Sequence, residues 1–225
     1  MFLLSPASLS GIRGRALLEG RSFAPFVPAL AAGVAIGEVY AFISSLYFRG
    51  KRRYALRFAR PAERDRGVWV ITPTRGLLPE DQPVTLADLR EFGAGRIEAE
   101  DGPYRAELLR TAHALGKRIG GTCDVVLLGS LATPLYLEPL LEVFGTRLSV
   151  PETLAGRGDM SRGGLLLRCV AAGEELTYVA AAAAARHGAR PPKLDPKTRP
   201  RRAFTRELGG DAGPDRPPNR PMCGS

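Results

Sequence analysis

Residues 68–76 read VWVITPTRG, a short run of apolar side chains that ends in a polar, turn-forming cluster. The same change occurs where Met1–Leu4 leads into Ser5–Ser8 and where Val125–Leu128 leads into Gly129–Thr133. Runs that are apolar at successive residues are typical of parallel strands buried on both faces. The three runs therefore predict strands of an open α/β sheet, a fold that binds ligands beyond the carboxyl ends of its strands.

The rest of the chain completes the predicted fold. A fourth strand is expected at Arg147–Val150, followed by an antiparallel hairpin of two further strands, Leu165–Val170 and Leu176–Ala180. The apolar periodicity predicts helices over 36–48, 53–58, 86–92, 104–119 and 135–144, with Gly50 ending the first of them. Strands that alternate with helices predict a layered α/β domain, with a mostly parallel sheet and helices on both faces.

The composition predicts one domain over residues 1–186 and a disordered tail over 187–225, where Pro, Arg and Gly become frequent and periodicity is lost. The formal net charge of +9 favours a polyanionic partner such as nucleic acid, although part of this charge comes from the basic tail. Three widely spaced cysteines form no paired motif, which favours a reducing cytoplasm and predicts no metal site. No signal peptide, membrane span or cofactor is predicted.

The densest polar cluster is GRGDMSRGG, residues 156–164. Its glycines free backbone N–H groups, and Arg157, Ser161 and Arg162 add side-chain donors, so we interpret it as an anion-binding loop between two strands. Asp159 is a candidate acid or base. An ordinary glycine-rich surface loop, in which Asp159 pairs with one of the arginines, explains the same residues equally well.

A second basic cluster, FRGKRR at residues 48–53, lies beside aromatic side chains, a combination that suits nucleic-acid strands. We expect Arg49 and Lys51, which flank Gly50, to bind ligand. The alternative is a solvated helix end, which we favour for Arg52 and Arg53.

Polar residues that follow the predicted strands form the third group of candidates. Hydroxyl groups there can contact a substrate or phosphate, or can simply cap helices, and Glu38 can act as an acid or base or stabilise a helix start. The ligand-binding candidates in this group are Ser5, Thr72, Arg75 and Ser130.

The opening Leu3-Leu4-Ser5-Pro6-Ala7 resembles the start of the YaaA peroxide-stress family, whose first strand runs into Ser-Pro-Ala-Lys. Residues 44–47, SSLY, resemble that family's Ser-Gly-Leu-Tyr segment. This chain has Ser8 in place of the family's lysine, so a role that depends on that lysine is not carried over. The resemblance implies a cytoplasmic, DNA-binding α/β protein. LSPA, LYFRGK and GRGDMSRGG together also resemble a group of bacterial proteins of unassigned activity.

The sequence favours binding of a phosphate-bearing ligand, with nucleic acid first, in a basic crevice at the carboxyl edge of the sheet. One alternative is an enzyme acting on a nucleotide or nucleoside, with Glu38 or Asp159 as its acid or base. Another is a non-catalytic interaction module tethered by its basic tail. The oligomeric state is not set by the sequence.

Overall fold

A computed structural model describes residues 1–44, 46–61, 66–97, 102–129 and 134–184, which form an α/β fold around a six-stranded, mostly parallel sheet. The strands are β1 (Phe2–Leu4), β2 (Val34–Ala35), β3 (Val68–Thr72), β4 (Gly76–Pro79), β5 (Pro83–Val84), β6 (Val125–Leu128), β7 (Leu148–Pro151) and β8 (Tyr178–Ala180). The helices are α1 (Ile12–Leu18), α2 (Ile36–Ile43), α3 (Leu46–Phe58), α4 (Leu86–Ala94), α5 (Pro103–Ile119), α6 (Pro134–Phe144) and α7 (Asp159–Ala172).

The main sheet has the strand order β4-β3-β1-β6-β7-β8, so the first strand of the chain lies near its centre. The neighbouring strands β3, β1, β6 and β7 are parallel, and the antiparallel strands β4 and β8 form the two edges. Strands β2 and β5 form a separate antiparallel pair. The predicted α/β class, the mostly parallel sheet and the helices on both faces are confirmed.

Two apolar cores cover the sheet because successive strand residues point to opposite faces. Leu4 and Leu128 pack on one face with α1, α2, α3, α4 and α7. Leu3 and Leu127 pack on the other face with α5 and α6. The central strands are therefore buried on both faces, as their uninterrupted apolar runs predicted.

The structure differs from the predicted fold in four respects. Residues 36–48 do not form one helix, since α2 ends at Ile43 and α3 begins at Leu46. Gly50 does not break α3 but lies inside it. Its missing side chain lets the backbone of α7 approach closely. Leu165–Val170 was predicted as a strand but belongs to α7, and β8 pairs with β7. Strand β4, which returns antiparallel to β3, was not predicted.

None of the helices in the described ranges is long and apolar enough to cross a membrane. The predicted tail, residues 187–225, lies outside the described residues and stays a prediction.

Candidate functional site

The carboxyl ends of β1 and β6 lie side by side, and the chain leaves them in opposite directions. After β1 it enters α1, on the face that also carries α2 and α3, whereas α6, which follows β6, packs on the other face. Adjacent strands whose connections diverge in this way leave a crevice at the carboxyl edge of the sheet, where α/β proteins bind ligands. Ser5 and Gly129 are the residues that directly follow these two strands.

Lys51 reaches this crevice from α3 and is almost completely buried, with 2% of its surface exposed. Its Nζ donates hydrogen bonds to the backbone oxygen and to Oγ of Ser5, both at 2.7 Å. The same nitrogen lies 4.7 Å from the ring centre of Tyr47 and 4.8 Å from that of Phe48. Helix α3 thus brings an amine into contact with the end of the central strand.

Burial lowers the pKa of Lys51 to about 7, because water no longer solvates the ammonium form. Asp159 acts in the opposite direction and Arg162 adds to the lowering. Both residues belong to the first turn of α7. The amine is therefore divided between its charged and neutral forms at neutral pH.

The first turn of α7 holds Arg162 against the same cluster. The Arg162 side chain is 13% exposed, its Nε donates to the Leu154 backbone oxygen at 3.1 Å, and its guanidinium lies 5.7 Å from the ring centre of Tyr47. Asp159 lies 3.5 Å from it, but the Asp159 side chain is 65% exposed. Two largely buried cations, Lys51 and Arg162, therefore share a carboxylate that faces water.

The Tyr47 hydroxyl is buried and makes no well-formed hydrogen bond with the residues that the structure describes, although the Arg162 guanidinium lies near enough to interact with it. Burial raises the pKa of Tyr47, and the nearby Arg162 guanidinium opposes that increase. The Tyr136 hydroxyl and the Ser5 Cβ both border Gly129, where an added Cβ would meet them at 3.1 and 3.0 Å. Tyr47 therefore presents a buried polar group beside Arg162 that a ligand could satisfy.

Arg157 and Ser161 lie beside this cluster and brace its backbone. Arg157 donates through Nε to the Thr153 backbone oxygen at 2.9 Å and through Nη1 to Ser161 Oγ at 3.3 Å. The predicted anion-binding loop is thus only in part a loop, because residues from Asp159 onward form the start of α7. Its arginines hold the short 3-10 turn Glu152–Leu154 against that helix.

Thr72 is the last residue of β3, and Arg75 lies in the turn that leads into β4. Thr72 Oγ1 donates to the Gly76 backbone oxygen at 2.9 Å and accepts from the Arg75 backbone nitrogen at 3.1 Å. The Arg75 guanidinium forms ion pairs with Asp88 and Glu91. Thr72 therefore closes the turn between β3 and β4, and Arg75 ties that turn to α4.

Glu38 and Arg49 are placed apart from the Ser5–Lys51 contact. Glu38 is exposed in the first turn of α2. The backbone N–H of its neighbour Gly37 donates to the backbone oxygen of Glu80, and the backbone N–H of Glu80 donates to the backbone oxygen of Val68 at the amino end of β3. Glu38 therefore lies toward the opposite edge of the sheet. Arg49 is exposed on α3. Ser130 falls outside the described residues.

The structure thus brings together Ser5, Lys51, Asp159 and Arg162 from the predicted candidates, and adds Tyr47 and Tyr136. The position of Lys51 had a signal in the sequence, since it lies four residues after Tyr47 and four before Ala55, on the buried stripe of α3. The role of Tyr136 had none. Within the described parts of the chain no group of three His, Cys, Asp or Glu side chains could hold a metal ion.

No family model, curated protein or solved structure matches this chain. The fold and the geometry of the crevice are therefore the basis for assigning a function.

Proposed function

We propose that the protein binds a phosphate-bearing ligand of nucleotide size in the crevice between the carboxyl ends of β1 and β6. Arg162 is the residue that holds the phosphate, with the Tyr47 hydroxyl as a further donor. Lys51 and Ser5 form the floor of the crevice.

The observation that carries this proposal is the excess of buried positive charge. Lys51 and Arg162 are both largely removed from water, and the carboxylate that acts on them, Asp159, is mostly exposed. The Arg162–Asp159 pair at 3.5 Å compensates only part of the cost of burying the guanidinium, and an anion beside Arg162 would offset more of it. A phosphate group suits this position because guanidinium and hydroxyl groups both donate to its oxygens.

The size of the ligand follows from which cations are available. Two of the five cations expected to bind phosphate are held elsewhere, because Arg75 is paired on α4 and Arg157 braces the turn before α7. An extended strand requires a row of exposed cations along its backbone. A compact ligand with one phosphate group needs only the buried cluster, which favours a nucleotide over a long nucleic acid.

A thermal-shift comparison of nucleoside monophosphates with the corresponding nucleosides tests the proposal. The nucleotides are expected to raise the melting temperature, since a ligand that binds the folded form stabilises it, and the nucleosides to have a smaller effect. Arg162→Gln should weaken nucleotide binding about tenfold or more, because a hydrogen bond to a charged group contributes about 1.5–3 kcal/mol.

Two matched controls accompany this variant. Arg53→Gln removes one cation from the exposed side of α3, two residues beyond Lys51, and should leave binding unchanged. Tyr47→Phe should weaken binding, whereas Tyr40→Phe should not, since it removes a buried hydroxyl outside the crevice that has no hydrogen-bond partner in the described part of the chain. Equal effects of Arg162→Gln and Arg53→Gln, or no shift with any nucleotide, would refute the proposal.

A further inference from the structure

The contact between Ser5 Oγ and Lys51 Nζ has a geometry that phosphate binding does not require. The two atoms are 2.7 Å apart, and Nζ is also 2.7 Å from the Ser5 backbone oxygen. A carbonyl oxygen can only accept, so one N–H of Lys51 is directed to it. When the amine is neutral, its lone pair is then available to accept the Ser5 hydroxyl proton.

We propose that Ser5 is a nucleophile with Lys51 as its general base, and that together they cleave a phosphate ester of the bound ligand. This inference rests on the proposed function for its substrate class. Serine paired with lysine is a known alternative to serine paired with histidine. The end of the central strand at a ligand crevice is also where an α/β fold presents its reacting groups.

The reaction balances with water as the second reactant. Ser5 Oγ attacks phosphorus, and the Ser5 hydroxyl proton passes to Lys51 Nζ. The bond between phosphorus and the leaving oxygen breaks, and the leaving oxygen takes that proton from Lys51 Nζ. Water then attacks the phosphoserine, which releases the phosphate group and restores the Ser5 hydroxyl. Arg162 balances the negative charge that builds on the phosphoryl oxygens.

Burial, together with the charge of Arg162, keeps enough of Lys51 neutral for this role, against the opposing effect of Asp159. The rings of Tyr47 and Phe48 face it from α3, Ser5 faces it from β1, and Asp159 and Arg162 act on it from α7. Burial brings its pKa to about 7. An exposed lysine with an ordinary pKa would be neutral in only about one molecule in 2,500 at pH 7.

Labelling with diisopropyl fluorophosphate tests the inference, because this neutral probe needs an activated serine and no anion site. Ser5 attacks its phosphorus, fluoride leaves, and the hydroxyl proton goes to Lys51. Mass spectrometry should find the adduct on Ser5, with a labelling rate that rises with pH around a midpoint near 7, the pKa of the buried amine. Ser5→Ala should carry no adduct there, and Lys51→Met should slow labelling at least about a hundredfold.

Two controls remove the same groups from the surface. Ser8 and Lys117 are exposed, and the variants Ser8→Ala and Lys117→Met should be labelled on Ser5 at the same rate as the wild type. The pH midpoint is measured on the unaltered protein, so it decides the question even if Lys51→Met does not fold. An unlabelled Ser5 between pH 6 and 9, or a midpoint above 9, would overturn the inference.

The outcome separates this inference from the proposed function. Nucleotides that raise the melting temperature while Ser5 stays unlabelled would leave the binding proposal intact and refute the nucleophile. Protection of Ser5 from labelling by inorganic phosphate, lost in Arg162→Gln, would support both.

Discussion

The Lys51 side chain ends between the Ser5 carbonyl and hydroxyl and two aromatic rings, where a positive charge is less stable than in water. Its hydrogen bonds compensate only part of the lost hydration. Lys51 therefore lowers the stability of the folded protein whenever it is protonated, and this cost disappears when the amine loses its proton.

This cost predicts how stability depends on pH. Lys51 titrates near pH 7 in the folded protein and near 10.5 in the unfolded chain, so between these values the unfolded chain binds more protons. Stability should then rise with pH through this window, by at most about 1.4 kcal/mol per pH unit. Below pH 7 the amine is protonated in both states and the full cost of burying the charge is present.

Urea unfolding of the wild type and Lys51→Met at pH 6, 7.5 and 9 measures this effect. The wild type should gain stability relative to the variant between pH 7.5 and 9, and the comparison cancels the titration of other groups. A difference that stays constant over this range would show that Lys51 titrates normally.

For individual residues, the sequence predicted the chemistry of the side chain and its position at the end of a strand, but not the contacts that the side chain makes. Ser5 and Thr72 both follow a buried strand, yet Ser5 accepts from Lys51 whereas Thr72 closes a turn. The difference depends on which helix crosses above each strand end. That is a tertiary property, and the local sequence does not contain it.

At the scale of elements, α3 and α7 form the most extensive contact between described elements, and two glycines make it possible. A Cβ added to Gly163 would lie 2.6 Å from the Leu46 backbone oxygen, and one added to Gly50 would lie 2.8 Å from the Gly163 backbone oxygen. The helix backbones touch at these points. The close crossing holds Arg162 of α7 beside Lys51 of α3.

Gly163→Ala should therefore lower the free energy of unfolding by about 1–2 kcal/mol, because separating the helices outweighs the better helix propensity of alanine. Gly116→Ala in α5 is the matched control, since its added Cβ would meet Val143 and Phe144 at 3.6 and 3.7 Å, which are ordinary contacts. The control should be neutral or stabilised by up to about 1 kcal/mol. Urea unfolding compares the two; equal changes in stability would argue against the tight crossing.

The sequence predicted the central strands well because a short, uninterrupted apolar run that ends in turn-forming residues is typical of a strand buried on both faces. It failed where one pattern fits two structures. The run LLLRCV, residues 165–170, is apolar enough for a strand, but α7 places Leu166 and Cys169 on one buried face. The sequence predicted a helix end at Gly50, whereas in the structure its missing side chain lets the backbone of α7 pack against α3.

At the scale of the whole molecule, charge is unevenly distributed along the chain. Residues after Arg186 include nine basic and four acidic side chains, so this segment carries much of the net charge. We predict that it accounts for any binding of long nucleic acids, which is the DNA binding that the YaaA resemblance implies. Binding of nucleotides is proposed for the part of the chain that the structure describes.

Deleting the chain after Arg186 should therefore abolish salt-sensitive binding of a single-stranded oligonucleotide and leave the nucleotide-induced thermal shift unchanged. Fluorescence anisotropy at two salt concentrations measures the first effect. Oligonucleotide binding that survives the deletion would locate it in residues 1–186.

The central position of β1 also has a consequence for synthesis on the ribosome. Leu3 is translated before both of its partners, Trp69 and Leu127, which follow much later in the chain. The sheet cannot close around its middle strand until β6 has left the exit tunnel, so β1 must remain an exposed apolar segment until then. Parallel pairing over such separations forms slowly, which makes this segment a natural binding site for chaperones during translation.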